Sequence, residues 1–174
     1  MERVELRVIY GDTDQMGVVY YANYLRYFEA ARNEFCRAKG VRYRDLEAEH
    51  GLILPVTEAS VRYALPARYD DLLTVEIALA KAGRASVRFE YRILRAGEVL
   101  ATGETVHACV GGDGGVRRLP REVIGRLTRG EPAGEAPSGE RASPPGARAR
   151  RDHRGGCAAG RSDPPLPAHP NYAW

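Results

Sequence analysis

Two aspartates flank one threonine in GDTDQMGVVYYANYLRYFEAAR, the stretch from Gly11 to Arg32. Asp12 and Asp14 sit between the end of a strand pattern and an apolar run that opens a helix. A carboxylate so placed can bind a metal, accept a phosphoryl group, attack an ester, or simply make a turn.

The rest of the chain narrows these options. A strand ending in D-x-D resembles the opening of a haloacid-dehalogenase-type phosphatase. That chemistry needs a doubly wound α/β fold with a lysine in a later loop. Here no second βαβ pattern follows, and lysine occurs only at Lys39 and Lys81. Two acids are too few for a calcium loop, which takes about six to eight oxygens. Asp113 lies in GGDGG, which turn chemistry explains alone. The four histidines are scattered. No metal and no cofactor is expected. As structural residues, the two aspartates could cap a turn or a helix. Against that, Val18, Val19, Tyr20 and Tyr21 make a hydrophobic entrance to a helix. The first turn of a helix presents unpaired N–H groups and a positive dipole end. A carboxylate beside such donors suits acyl transfer: the acid attacks or activates water, and the N–H groups hold the oxyanion.

The elements that must position these residues are readable from periodicity. Val4, Leu6 and Val8 alternate with charged residues as a first strand. From Ala22 to Lys39, Leu25, Phe28, Ala31, Phe35 and Cys36 recur at helical spacing, with Gly40 as a stop. Glu29 and Arg32 stand one helical turn apart, where they are expected to pair. This is the one long helix. After a connecting stretch, strands follow in series: Val61 to Leu65, Leu73 to Leu79, Val87 to Ile93, and Val99 to Val110. Turn signals separate them at 67–71, 82–83 and 96–97. A short helix, Arg121 to Leu127, follows Pro120. One helix and then a run of strands argues for α+β with an antiparallel meander. Such a sheet has open edges that dimerisation can cover. Cys36 and Cys109 read as small buried hydrophobes, and His107 as a structural residue on a core-alternating strand.

Composition excludes several classes. The formal net charge is only +3, without the strongly basic balance of a nucleic-acid binder. Cys36, Cys109 and Cys157 show no C-x-x-C spacing, and so sparse a count suits a reducing compartment. The charged, alternating start MERVELRV does not resemble a signal peptide. No run approaches the roughly 18 apolar residues of a membrane span. These features predict a soluble cytoplasmic protein. The domain is read as 1–128. Residues 129–174 hold Leu166 as their one large aliphatic side chain, among many glycines and prolines. Such a segment buries too little to offset its ordering entropy, which predicts a disordered tail.

The stretch GDTDQMGVVYYANYLRYFEAARNEF closely resembles the opening signature of the 4-hydroxybenzoyl-CoA thioesterase family, which includes the acyl-CoA thioesterases linked to the Tol–Pal system. The likeness continues through GLILPVTEASVRYALPARYDDLLTVE and KAGRASVRFEYRI, and covers about residues 3 to 127. It implies the α+β hotdog fold, a curved antiparallel sheet wrapped around one long helix. It implies hydrolysis of an acyl-CoA thioester by a homodimer or homotetramer with sites between subunits. Asp14 then matches the catalytic acid, as nucleophile or general base, and Tyr21 supplies the backbone N–H for the carbonyl. Many Tol–Pal members have histidine at the Tyr21 position; the 4-hydroxybenzoyl branch has tyrosine. Gly17, Val18, Asn23 and Tyr24 match the signature around the substrate. Lys81, Arg84 and Ser86 match the segment that meets the nucleotide phosphates. Tyr69, Asp70 and Asp71 match a family turn. The alternative is a non-catalytic acyl-thioester-binding or scaffold protein on the same fold.

Overall fold

The computed structural model describes residues 1–130. The expected tail, with Cys157, lies outside the described residues from 131 onward.

The chain opens with β1 (Glu2–Arg7), a 3₁₀ turn (Tyr10–Asp12) and the long helix α1 (Asn23–Ala38). Helix α1 contains no Gly, Pro or β-branched residue, so nothing in it opposes helical backbone. It buries Tyr24, Tyr27, Phe28, Ala31, Phe35 and Cys36 on one face. Gly40, at φ 70°, ends it in the left-handed conformation that favours glycine. Then come α2 (Tyr43–His50), β2 (Leu52–Ile53), β3 (Val56–Tyr63), β4 (Leu72–Ala82), β5 (Ser86–Arg95), β6 (Glu98–Ala108), β7 (Val110–Gly111) and α3 (Arg121–Leu127).

The main sheet has the order β1-β4-β5-β6-β3, antiparallel throughout. The expected series is therefore corrected at one point. Strands β4, β5 and β6 do meander, but β3 lies at the far edge against β6. The Ala64 and Leu65 N–H groups both bond the Leu100 carbonyl, holding the exit of β3 against β6 before the chain crosses to β4. Alternation reports which face a side chain takes, not which strand is its neighbour. The connecting stretch also holds α2, whose single buried residue, Leu46, gives too weak a period to read.

Helix α1 lies on the inner face of the sheet. The Phe28 ring stacks on Tyr91 at 4.2 Å, and Phe35 meets Phe89 edge-on at 5.8 Å. Gly103 makes the first contact possible. A Cβ there would come 2.4 Å from the Ser60 carbonyl oxygen and 2.6 Å from Phe28 Cε2. The expected Glu29–Arg32 pair is replaced by a buried contact. Arg32 shares the inner face with Phe28 and Phe35, is only 8% exposed, and donates to the Tyr91 hydroxyl at 3.3 Å. That bond begins a directed chain. The Tyr91 hydroxyl lies 2.9 Å from Thr105 Oγ1, which lies 2.9 Å from His107 Nε2. His107 Nδ1–H must donate to the Leu54 carbonyl at 2.9 Å, so Nε2 accepts. His107 is thus a core residue, as read, and Cys36 and Cys109 are buried.

Among the described residues, the sheet leaves two edges open, β1 and β3. Among the described residues no helix is long and apolar enough to cross a membrane. The observed α+β architecture is that of the hotdog fold.

Candidate active site

Asp14 sits at the tip of a small hairpin built on Asp12. The Tyr20 N–H bonds the Asp12 carbonyl at 2.9 Å, and Thr13 bridges Val19. The Asp14 N–H bonds the Val18 carbonyl at 2.9 Å, and the Gly17 N–H returns to the Asp14 carbonyl at 3.0 Å. Gly17 closes the turn at φ 72°, a conformation strained for other residues. Val18, 4% exposed, anchors the hairpin below. Asp14 is half-buried. Its Oδ1 accepts the Met16 N–H at 2.8 Å in an Asx turn, while Oδ2 has no partner among the described residues.

The chain then enters α1. The N–H groups of Asn23, Tyr24 and Leu25 are taken up by the carbonyls of Tyr20, Tyr21 and Ala22. The Tyr21 N–H has no acceptor among the described residues. Its carbonyl is held at 2.9 Å by the Tyr63 hydroxyl. Met16, Tyr20, Tyr21 and Leu25 all expose apolar surface here. The Tyr20 and Tyr21 rings pack at 4.4 Å. A hydrogen bond with the Tyr21 phenol, and then the Tyr21 and Asp14 charges, raise the Tyr20 phenol above its usual value.

Two signature residues hold the scaffold. Tyr24 is 2% exposed, its ring against Tyr63, its hydroxyl accepting the Ala67 N–H at 3.2 Å. The Asn23 side chain donates to the Asp12 carbonyl at 2.9 Å. Asp12 itself is more than a turn former. It is 4% exposed, and its carboxylate is bound by side chains of α1. The turn at 69–71 is held by its own polar contacts: Asp71 Oδ2 accepts the Arg68 N–H and the Arg95 side chain, each at 2.8 Å.

Lys81, Arg84 and Ser86 are exposed at the other end of the sheet. The Val19 N–H bonds the Ala67 carbonyl and the Val8 N–H bonds that of Asp71, so the Asp14 hairpin lies near the start of β4. Lys81 lies near its end, ten residues beyond Asp71, or roughly 30 Å at strand spacing. One protomer therefore does not bring the two groups together. At that far end the structure adds Arg118, which the sequence reading missed. The Leu119 N–H bonds the Arg84 carbonyl at 2.7 Å and carries Arg118 beside the Lys81–Ser86 turn. No spacing rule foretells that contact. A cavity of about 580 Å³ lies on the outer sheet face, lined by Ser60, Arg62, Glu76 and Glu90 among others, and does not include Asp14 or Tyr21.

The sequence matches the thioesterase-like superfamily over residues 8–144. The chain belongs to that superfamily. It is similar to the acyl-CoA thioesterase YbgC of Haemophilus influenzae, 38% identical over 105 residues, covering 60% of this chain and 77% of the relative. Among solved structures it resembles a hypothetical protein from Thermus thermophilus, with a TM-score of 0.70 and 35% identity over 74% of this chain and 98% of that one. It also resembles the DHNA-CoA thioesterase of Staphylococcus aureus, with a TM-score of 0.68 and 31% identity over 72% and 89% of the two chains.

Proposed function

We propose that this protein is an acyl-CoA thioesterase that hydrolyses its substrate to a free acid and CoA, with Asp14 as nucleophile or general base. The observation that carries the reading is the Asp14 carboxylate at a hairpin tip, with Oδ2 unengaged among the described residues, in the same loop as a Tyr21 N–H that has no acceptor among them. As base, Asp14 takes a proton from the attacking water, the Tyr21 N–H donates to the developing oxyanion, and CoA leaves as the thiolate. As nucleophile, Asp14 forms a mixed anhydride that water opens. Either way the donor is main chain, which a tyrosine at position 21 provides as well as a histidine. The exposed apolar surface of Met16, Tyr20, Tyr21 and Leu25 supports an acyl group. Lys81, Arg84, Ser86 and Arg118 meet the nucleotide phosphates. Because one chain holds these groups at opposite ends of the sheet, the working form is a homodimer or homotetramer with sites between subunits.

The test is thiol release from a panel of acyl-CoAs, read with a thiol-trapping dye, alongside light scattering. Asp14→Asn keeps the Oδ1 contact to Met16, so folding should persist. Turnover should fall by about 10² to 10⁴, the range for loss of a general base. Single-turnover hydrolysis in ¹⁸O water separates the routes. Direct attack puts label into the product; an anhydride opened at the aspartyl carbon delivers an unlabelled oxygen. Wild-type turnover in Asp14→Asn on its best substrate would sink the assignment, and binding without thiol release would favour a non-catalytic binder.

A further inference from the structure

The first aspartate of the pair, Asp12, is the most heavily engaged side chain near the site. Its Oδ2 accepts the Tyr27 hydroxyl at 2.8 Å and the Ile9 N–H at 3.3 Å. Its Oδ1 accepts Arg26 Nη1 at 3.3 Å. Its carbonyl takes the Tyr20 N–H and the Asn23 side-chain amide, both at 2.9 Å. Asn23, Arg26 and Tyr27 stand at i, i+3 and i+4 on α1, so one helical face grips one residue. Asp12 thus joins the end of β1, the base of the Asp14 hairpin and the first turn of α1.

We infer that Asp12 is a positioning residue for the Asp14 site: its buried carboxylate fixes the hairpin that presents Asp14 against the helix entrance that presents the Tyr21 N–H. The inference rests on the thioesterase reading above. The hairpin has its own internal bonds, so its shape is local; its placement on α1 is not. That placement runs through Asp12. Every partner of the carboxylate is a donor. An asparagine must therefore turn its NH₂ group against at least one donor, or release it. Tyr27 confirms the tight environment: burial first, then the bond to Asp12, raises its phenol well above the ordinary value.

The experiment is a double-mutant cycle on thiol release, with Asp12→Asn, Asp14→Asn and the pair. Asp12→Asn alone should lower kcat about tenfold to a hundredfold, the cost of displacing a reacting group by about 1 Å. KM should change little. If Asp12 acts only through Asp14, it should have no further effect on the residual turnover of Asp14→Asn, while its effect on melting temperature is the same in both backgrounds. Tyr27→Phe, which removes one bond, should reproduce a smaller part of the kcat loss. Additive losses in the cycle, or an unchanged kcat in Asp12→Asn, overturn the inference and leave the thioesterase reading standing. Backbone amide shifts of Met16, Gly17 and Tyr21 give a readout apart from activity. They should move in Asp12→Asn while those of the Lys81–Ser86 turn stay. If those three signals stay put, the inference falls, whatever the enzyme hydrolyses. If the wild type hydrolyses no acyl-CoA, the functional reading falls, and the amide shifts alone decide whether Asp12 places the hairpin.

Discussion

Gly103→Ala inserts a single methyl group where helix and sheet touch. The added Cβ would stand 2.4 Å from the Ser60 carbonyl oxygen, about 1 Å short of the 3.4 Å at which ordinary contact begins. It would also stand 2.6 and 2.8 Å from Phe28 Cε2 and Cζ. Neither neighbour yields easily. The Ser60 oxygen belongs to the β3–β6 ladder, and the Phe28 ring is fully buried and stacked on Tyr91. Overpacking of this kind costs about 1 to 3 kcal/mol, and two stiff neighbours place it toward the upper end. For a domain of this size each kcal/mol is worth roughly 3 to 6 °C of melting temperature. Calorimetry and urea titration should both record the loss. Phe28 lies on α1, so the strain also tilts the helix whose entrance carries Tyr21, and kcat should fall with stability. Phe28→Leu frees space under the new methyl, so the double variant should be less destabilised than the two single losses combined. An unchanged melting temperature for Gly103→Ala, or simple additivity with Phe28→Leu, refutes the reasoning.

Arg84→Ala and Arg118→Ala should each raise KM for acyl-CoA with kcat nearly constant, because a phosphate contact is the same in ground and transition states. A short thioester lacking the nucleotide should be hydrolysed as before, and equal effects on both substrates would mean a structural role. Burial, with a smaller push from the Arg32 charge, holds the His107 pKa below its usual 6.5. Its stabilising contribution is full above the unfolded value and is lost as pH falls below it, because the unfolded chain takes the proton first. Melting temperature should therefore drop from pH 6.5 downward, and the drop should be shallower in His107→Gln; identical profiles would contradict this. Residues 129–174 are proposed to contribute little to the domain, since the side-chain contact made to them by Lys39 Nζ, which donates to the Arg129 carbonyl, is exposed; truncation after Thr128 should therefore leave melting temperature and turnover nearly unchanged, as read by calorimetry and thiol release.

Much of this architecture was legible in the sequence because it depends on period. Helix α1, the alternating strands and α3 declare themselves through which side chains must be buried. Gly40 and the turns at 82–83 and 96–97 mark where the chain reverses. The Asp14 loop was legible as a motif. What Asp12 does was not, since its partners Arg26 and Tyr27 look like ordinary surface and core residues of a helix. Arg32 was misread because spacing alone permits a pair with Glu29, whereas the helix turns its guanidinium toward Tyr91. The place of β3 and the approach of Arg118 to Arg84 depend on strand order, which period 2 does not encode.

The two edges of the sheet differ in a way that bears on growth. On β1, four of six residues are charged: Glu2, Arg3, Glu5 and Arg7. On β3, two of eight are charged, and most of the strand is exposed. Pairing of a β1 edge with the β3 edge of another copy would leave a fresh edge at each end and continue without limit. The charges on β1 oppose that step, as edge charges generally do. Pairing of β3 with β3 uses up the two lightly charged edges and leaves only the charged β1 edges at its ends, where further growth is opposed. The unequal edges thus bias self-association toward closed particles of fixed size and away from fibres.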